Sequence, residues 1–475
     1  LAACGGTGKA KSDRLAAGNL AYTPDEVVTV EFSDGGITVS PEEAAGLAVE
    51  ETALSVSGAG VYALSGRCAD GSVKVEAQTE DVVLLLDGLT LTSADTAPIV
   101  CGESTGVTIA VVDGTENTLT DSEANDPDNA ADNENAEKAV VKCKDGSQVV
   151  LCGGGALTVN ARGKNGIKSG TALDDRDASL TIRELTLNIE ALVNDAINAE
   201  QRLKVESGNL TIAAGEDAIH CDMELNIGAE GTTGPAITVS TCCEGLEGAV
   251  LNIHSGNMDI TSTDDCLNAA NSDLGDYAFE MNISGGTIKA HSSEGDGFDS
   301  NGTLTITGGD ISVWTANAAD NQPLDADGRI TISGGTVLAA GGSAGMGFSI
   351  SASQPYVTFG GGRDSSLSLA GGEAFSIADE SGKSVLDSTA LCDAAFLFYS
   401  SPALTAEGRY SVQSTVTATA KTGEADTQFG GNGGPGGSGG QRPDGMTPPD
   451  GQMPQGQPPQ SDGTTPPELP AASSN

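Results

Sequence analysis

A four-residue pattern recurs roughly every 26 residues through the middle of this chain. It consists of an acidic or amide residue, a small residue, a large apolar residue and a second polar residue. It reads Asn165-Gly166-Ile167-Lys168, Asp195-Ala196-Ile197-Asn198, Asp217-Ala218-Ile219-His220 and Glu244-Gly245-Leu246-Glu247. It continues as Asp265-Cys266-Leu267-Asn268, Asp296-Gly297-Phe298-Asp299 and Gln322-Pro323-Leu324-Asp325. Self-similarity at this period marks a solenoid, in which each unit buries its apolar side against the next. Whatever occupies one position of the pattern must then stack on its equivalents.

The units are built from short strands. Leu180-Thr181-Ile182, Leu210-Thr211-Ile212, Leu251-Asn252-Ile253, Met281-Asn282-Ile283 and Ile330-Thr331-Ile332 alternate apolar and polar residues. This puts both apolar members on one face of a strand. Gly-Gly pairs before Thr287, Asp310 and Thr336 supply corners. Three short strands per unit without a helical period predict an all-β, single-stranded parallel β-helix. The signatures of leucine-rich repeats and of the calcium-binding nonapeptide roll are absent. Residues 1–20 read as anchor and tether, 21–425 as the β-helix, and 353–425 within it as terminal coils and cap. Residues 426–475 carry ten of the eighteen prolines and predict a disordered tail. The polar stretch 121–137 reads as a solvated surface loop, with cation binding as the alternative.

Charge narrows the partners. With 22 basic and 67 acidic residues the net charge is −45, which argues against nucleic acid, whose binding needs basic residues. An acidic polysaccharide or anionic membrane would be repelled unless cations bridge the two. No apolar stretch reaches the ~18 residues that would mark a membrane-spanning helix. The opening Leu1-Ala2-Ala3-Cys4-Gly5-Gly6 resembles a bacterial lipobox, so Cys4 is the expected lipidation site and the outer cell surface the expected location. A monomer is expected. Of ten cysteines, Cys221, Cys243 and Cys266 fall at or beside small-residue positions, which favours buried thiols. If a disulfide exists, Cys143 and Cys152 are the pair to suspect. No CxxC occurs, which argues against structural zinc.

Paired strands lie about 4.8 Å apart, and calcium takes oxygen ligands at roughly 2.3–2.6 Å. A calcium ion between stacked carboxylates meets both; without it they repel by about 3 kcal/mol at an effective dielectric near 20. Nine units can be aligned through Met346 and Glu373, and six carry Asp or Glu at the first position: 195, 217, 244, 265, 296 and 373. The expected ligands are Asp264, Asp265, Asp296, Asp299, Asp325 and Asp327, then Asp195, Asn198, Asp217, Glu244, Glu247 and Asn268. An Asn/Asp ladder that only ties turns together is the alternative. His220, in the last position of its unit, reads as a turn residue, with metal binding as the alternative. Trp314 is a candidate sugar-stacking surface, or else a residue packed under the loop at 316–321.

Further motifs are Gly60-Val61-Tyr62-Ala63-Leu64-Ser65-Gly66 with Asp70-Gly71, Leu86-Asp87-Gly88-Leu89-Thr90-Leu91, and GKNGIKS over 163–169. The most specific is Gly114-Thr115-Glu116-Asn117-Thr118-Leu119-Thr120-Asp121. Across roughly residues 25–420 the chain resembles a family of bacterial secreted, carbohydrate-binding domain-containing proteins with a pectate-lyase-like β-helix. The resemblance implies a right-handed helix, calcium along one edge, and binding of plant-type, acidic polysaccharide without an established catalytic centre. Lys168 and the cysteines in the pattern depart from it and weaken transfer of any single ligand. Three activities follow as expectations: a non-catalytic calcium-dependent polysaccharide binder, a polysaccharide lyase, or an adhesin-like scaffold with structural calcium. A lyase needs a base, and Lys164, Lys168, Arg202, Lys204, Lys289 and Arg329 are the candidates. For glycoside hydrolysis the carboxylates are too numerous to single out a pair.

Overall fold

A computed structural model describes residues 15–426, apart from 275–276, 317–320, 343–348 and 362–366. Cys4, Met346 and the tail from 427 onward lie outside the described residues. Among the described residues there is no α-helix; two three-residue 3-10 turns, Pro24–Glu26 and Glu123–Asn125, interrupt the strands. Thirty-four strands belong to one sheet, most of them paired in parallel.

The repeat explains the pairing. Each short strand hydrogen-bonds to its counterpart in the next unit, so equivalent residues align in rows. In one row Leu180, Leu203, Leu225, Leu251, Met281, Leu304, Ile330 and Ile350 pair in succession, and all are buried. The polar middle of these triplets also stacks: Asn252 Nδ2 donates to Asn226 Oδ1 (3.2 Å), and Asn282 Nδ2 to Asn252 Oδ1 (3.1 Å). The four-residue pattern forms another row. Ile167, Ile197, Ile219, Leu246, Leu267 and Phe298 pair in register, and Phe298 bridges to Leu324. The second position of the pattern is small because neighbouring backbone crowds it. A Cβ at Gly245 would run into the Cys266 carbonyl, and one at Gly297 into Val313.

Several expectations need correction. Residues 15–20 belong to the fold: Leu15–Ala17 and Leu20–Tyr22 form an antiparallel hairpin, whose Ala17 packs on Ala63, Leu85, Ala110 and Cys152. The stretch 121–137 is not simply solvated. Asn125 is fully buried, and buried Asp121 accepts hydrogen bonds from Arg162 N (2.6 Å), Gly163 N (3.2 Å) and Asn125 Nδ2 (2.9 Å). Residues 353–425 do not continue the parallel rows. Phe396–Ser400 runs antiparallel to Thr336–Gly341 and Ser349–Gly360, and Ala374–Asp379 belongs to a separate four-stranded antiparallel sheet. Glu373 precedes that strand and is therefore not part of the ladder.

This C-terminal layer also accounts for Trp314. The side chain points away from the main core but is fully buried, inside a second cluster with Leu338, Phe375, Leu397 and Tyr399. Its ring meets Phe375 edge-on at 6.0 Å, and Nε1 donates to Ser312 Oγ at 2.9 Å. It offers no face to a sugar. The emission of this lone tryptophan is expected to ignore added polysaccharide and iodide; a response to either in a fluorescence titration contradicts this placement. Cys143 and Cys152 are both free thiols. They cannot pair, because Cys143 faces the main core and Cys152 the small cluster under the N-terminal hairpin. Cys143 instead stacks in register on Cys101.

Candidate metal centre

The first position of the pattern has a structural task. In four units one carboxylate oxygen accepts the backbone N–H of the next unit: Asp195 Oδ1 from Asp217 N (3.2 Å) and Asp217 Oδ1 from Glu244 N (3.3 Å). Asp265 Oδ1 likewise accepts from Asp296 N (2.6 Å), and Asp296 Oδ1 from Gln322 N (2.5 Å). Stacked acids thus tie the turns, as the alternative reading of the ladder expects. That leaves each carboxylate one oxygen for other work.

What this second oxygen meets divides the ladder. Toward the N-terminal side the protein supplies donors. Asn198 Nδ2 reaches Asp195 Oδ2 (2.7 Å) and Lys168 Nζ reaches Asn198 Oδ1 (2.9 Å). Asn268 Nδ2 reaches Glu244 Oε2 at 2.9 Å. His220 Nδ1 faces Asp217 Oδ2 at 3.1 Å and Glu247 Oε2 at 2.5 Å. Burial alone would lower the His220 pKa, but hydrogen bonds to Asp217, Asp222 and Glu247 override it and hold the imidazole charged. His220 is thus the countercharge of this part of the ladder, a larger task than that of a turn residue.

Toward the C-terminal side the acids accumulate. Asp296, Asp299 and Asp325 each bring a carboxylate oxygen to within 4.8 Å of the others. Asp325 Oδ1 accepts Ala326 N at 2.8 Å, and exposed Asp264 and Asp327 lie at the margin. Burial, then mutual repulsion, pushes these groups up: Asp299 to about 6, Asp296 to about 7 and Asp265 to about 8. Asp325 moves the same way, chiefly by burial. Glu244 rises to about 7 and Asp217 to about 6, again mainly by burial.

Two side-chain oxygens of the repeat are buried with no donor to satisfy them. Gln322 is 3 % exposed and Asn268 7 % exposed, and Gln322 Oε1 and Asn268 Oδ1 have no hydrogen-bond partner among the described residues. A buried acceptor left unpaired costs about 1–3 kcal/mol. Carboxylates and amide oxygens together are the donor set of a hard divalent cation such as calcium, so the residues present fit that ion. The repeat singles out Asn268 as a candidate but not Gln322, which stands where most units have an acid.

Two further residues carry no signal in the repeat. Lys142 pairs in register with Lys168, and burial followed by the Lys168 charge lowers its pKa. Its unit, Ala139-Val140-Val141-Lys142, lacks the acidic opening that marks the others. Asp222 Oδ1 meets His220 Nε2 at 2.8 Å from just outside the pattern. Of the candidate lyase bases, Lys168 is tied to Glu200 (2.8 Å), Lys164 to Asp128 (3.7 Å) and Lys289 to Asp259 (3.2 Å). Arg202 pairs with Asp177 (2.8 Å), Lys204 with Glu206 (2.9 Å) and Arg329 with Glu424 (3.2 Å).

Known proteins of similar sequence point to one family. A carbohydrate-binding domain-containing protein from Acetivibrio thermocellus is 29% identical over 184 residues, 38% of this chain and 60% of that relative's length. Among solved structures, a polysaccharide lyase-like protein from C. thermocellum, determined as a gadolinium derivative, matches at 22% identity. The match covers 65% of this chain and 93% of that one, with a TM-score of 0.32. The sequence model of one family matches residues 50–347, more than half of the chain, and on that match the chain belongs to the carbohydrate-binding domain-containing protein family.

Proposed function

We propose that this protein binds acidic polysaccharide with the help of calcium, without catalysis. We further propose that its strands wind as a single right-handed parallel β-helix, three short strands to a coil. Residue-by-residue stacking of successive units supports the winding. Family membership supports a polysaccharide ligand. One observation carries the calcium reading: Asp296, Asp299 and Asp325 converge beside a buried Gln322 oxygen that lacks a donor. These residues would hold the ion, with Asp265 close by. Bound there, the cation supplies positive charge to a sugar carboxylate on a chain that otherwise repels it. Attachment to the outer cell surface through a lipid on Cys4 completes the proposal.

A lyase is the second reading, favoured by the lowered pKa of Lys142. Distance supports the non-catalytic reading instead. Six in-register pairings separate Lys142 from Asp299, about 29 Å at the usual strand spacing. Base and metal would not meet at one sugar ring.

Retention on immobilised polygalacturonate, with and without EGTA, tests the proposal. Calcium-dependent retention without an ultraviolet-absorbing unsaturated product is expected, and Asp299→Asn should weaken it at least tenfold. Release of unsaturated product would make the protein a lyase; absence of retention in calcium would leave a scaffold.

A further inference from the structure

His220 does not resemble the other rungs. Its Nδ1 faces two carboxylate oxygens, Asp217 Oδ2 and Glu247 Oε2, while Nε2 points at a third, Asp222 Oδ1. One hydrogen on Nδ1 cannot serve both partners well. A metal ion can: it displaces the Nδ1 proton to solvent and takes the freed nitrogen lone pair and both oxygens together. The side chains of Asp217 and Glu247 are 14% and 13% exposed, and that of His220 23%.

We propose that His220 Nδ1, Asp217 and Glu247 form a second metal site, of the zinc class, distinct from the oxygen-only centre at Asp296, Asp299 and Asp325. The three ligand atoms lie within 4.8 Å of one another. One nitrogen and two carboxylates suit zinc, which takes about four ligands near 2.0–2.2 Å. Calcium instead seeks six to eight oxygens. Binding requires the ligand atoms to open from 2.5 and 3.1 Å to about 3.3 Å, the edge of a tetrahedron with such bonds. The glutamate can swing that far without moving backbone.

Two features outside this ligand set support the assignment. Asp222 takes the Nε2 hydrogen at 2.8 Å, the carboxylate–imidazole arrangement that orients metal-bound histidines. One unit further on, Asn268 pairs in register with Glu247. It is 7 % exposed, and its Oδ1 has no partner, so a neutral oxygen is available as a fourth ligand. Among the described residues, only the His220 unit places an imidazole nitrogen between two acids of the repeat.

The full chain, stripped of metal and held in millimolar calcium, should bind one zinc ion in a calorimetric titration. His220→Gln should abolish that binding. Asp222→Asn should weaken zinc by about 10–100-fold at unchanged stoichiometry. Should His220→Gln fail to fold, cobalt(II) added to the unaltered protein gives the same answer. A visible band displaced by zinc but not by calcium supports the site. Equal zinc binding by His220→Gln, or no cobalt band and no zinc uptake by the unaltered chain, overturns it. None of these outcomes depends on polysaccharide retention or on the calcium shift, so this proposal and the previous one can fail separately.

Discussion

Stripping divalent cations from this protein will lower its melting temperature, and by more at pH 8.5 than at pH 5. The sign follows from the raised carboxyls. Asp299 and Asp217 titrate at about 6, Glu244 and Asp296 at about 7, and Asp265 at about 8. In an unfolded chain such groups titrate near 4. The folded, metal-free state therefore holds more protons between about pH 4 and pH 8, and stability falls as pH rises through that window. A tenfold difference in proton affinity between the folded and unfolded chain corresponds to about 1.4 kcal/mol. After a discount for solvent screening, the five groups together imply a loss on the order of 5 kcal/mol. Calcium at the Asp296, Asp299 and Asp325 centre should remove much of that slope, and Asp265→Asn should flatten it without metal. Identical melting of loaded and stripped protein at pH 8.5 would refute the idea.

The second large effect concerns the apolar residue beneath the same centre. Phe298 is fully buried, pairs with Leu267 and bridges to Leu324. Phe298→Ala should cost about 3–5 kcal/mol in urea unfolding. It should also weaken calcium binding, because Asp296 and Asp299 flank the cavity it leaves. Phe298→Leu, which keeps most of the volume, should recover most of both. A Phe298→Ala protein with unchanged calcium affinity would mean that the ligands are held by their own hydrogen bonds and not by the packing beneath them.

Much of this was legible because the period is long and the apolar members are strict. Aligning Ile197, Ile219, Leu246, Leu267 and Phe298 also aligns the acids two residues before them, and the structure pairs these apolar residues in register. The division of the ladder was less visible. It depends on which fourth-position residue lies beside which acid, and only that register makes Lys168 and His220 countercharges and Asn198 a donor to Asp195. Trp314 misled for a different reason. Alternation with Ile311 and Val313 turns it outward, and only the antiparallel layer, which has no period to read, buries it. Glu373 fits the pattern for the same reason: an acid before an apolar strand looks alike whether the strand runs with the rows or against them. The motif over 114–121 is specific for structural reasons. Asn117 Oδ1 accepts Leu89 N at 2.8 Å and Asp121 anchors the turn that follows.

The antiparallel strands at the C-terminal side have one more consequence. A parallel stack of near-identical windings exposes at its last member the same unpaired amides and carbonyls that each earlier member offers to its successor, an invitation to other copies. Here Phe396–Ser400 and Lys421–Asp426 lie across Ser349–Gly360 in the opposite direction and occupy those groups. Reversal of polarity acts as a terminator of growth: it keeps a template suited to fibre formation from recruiting its neighbours.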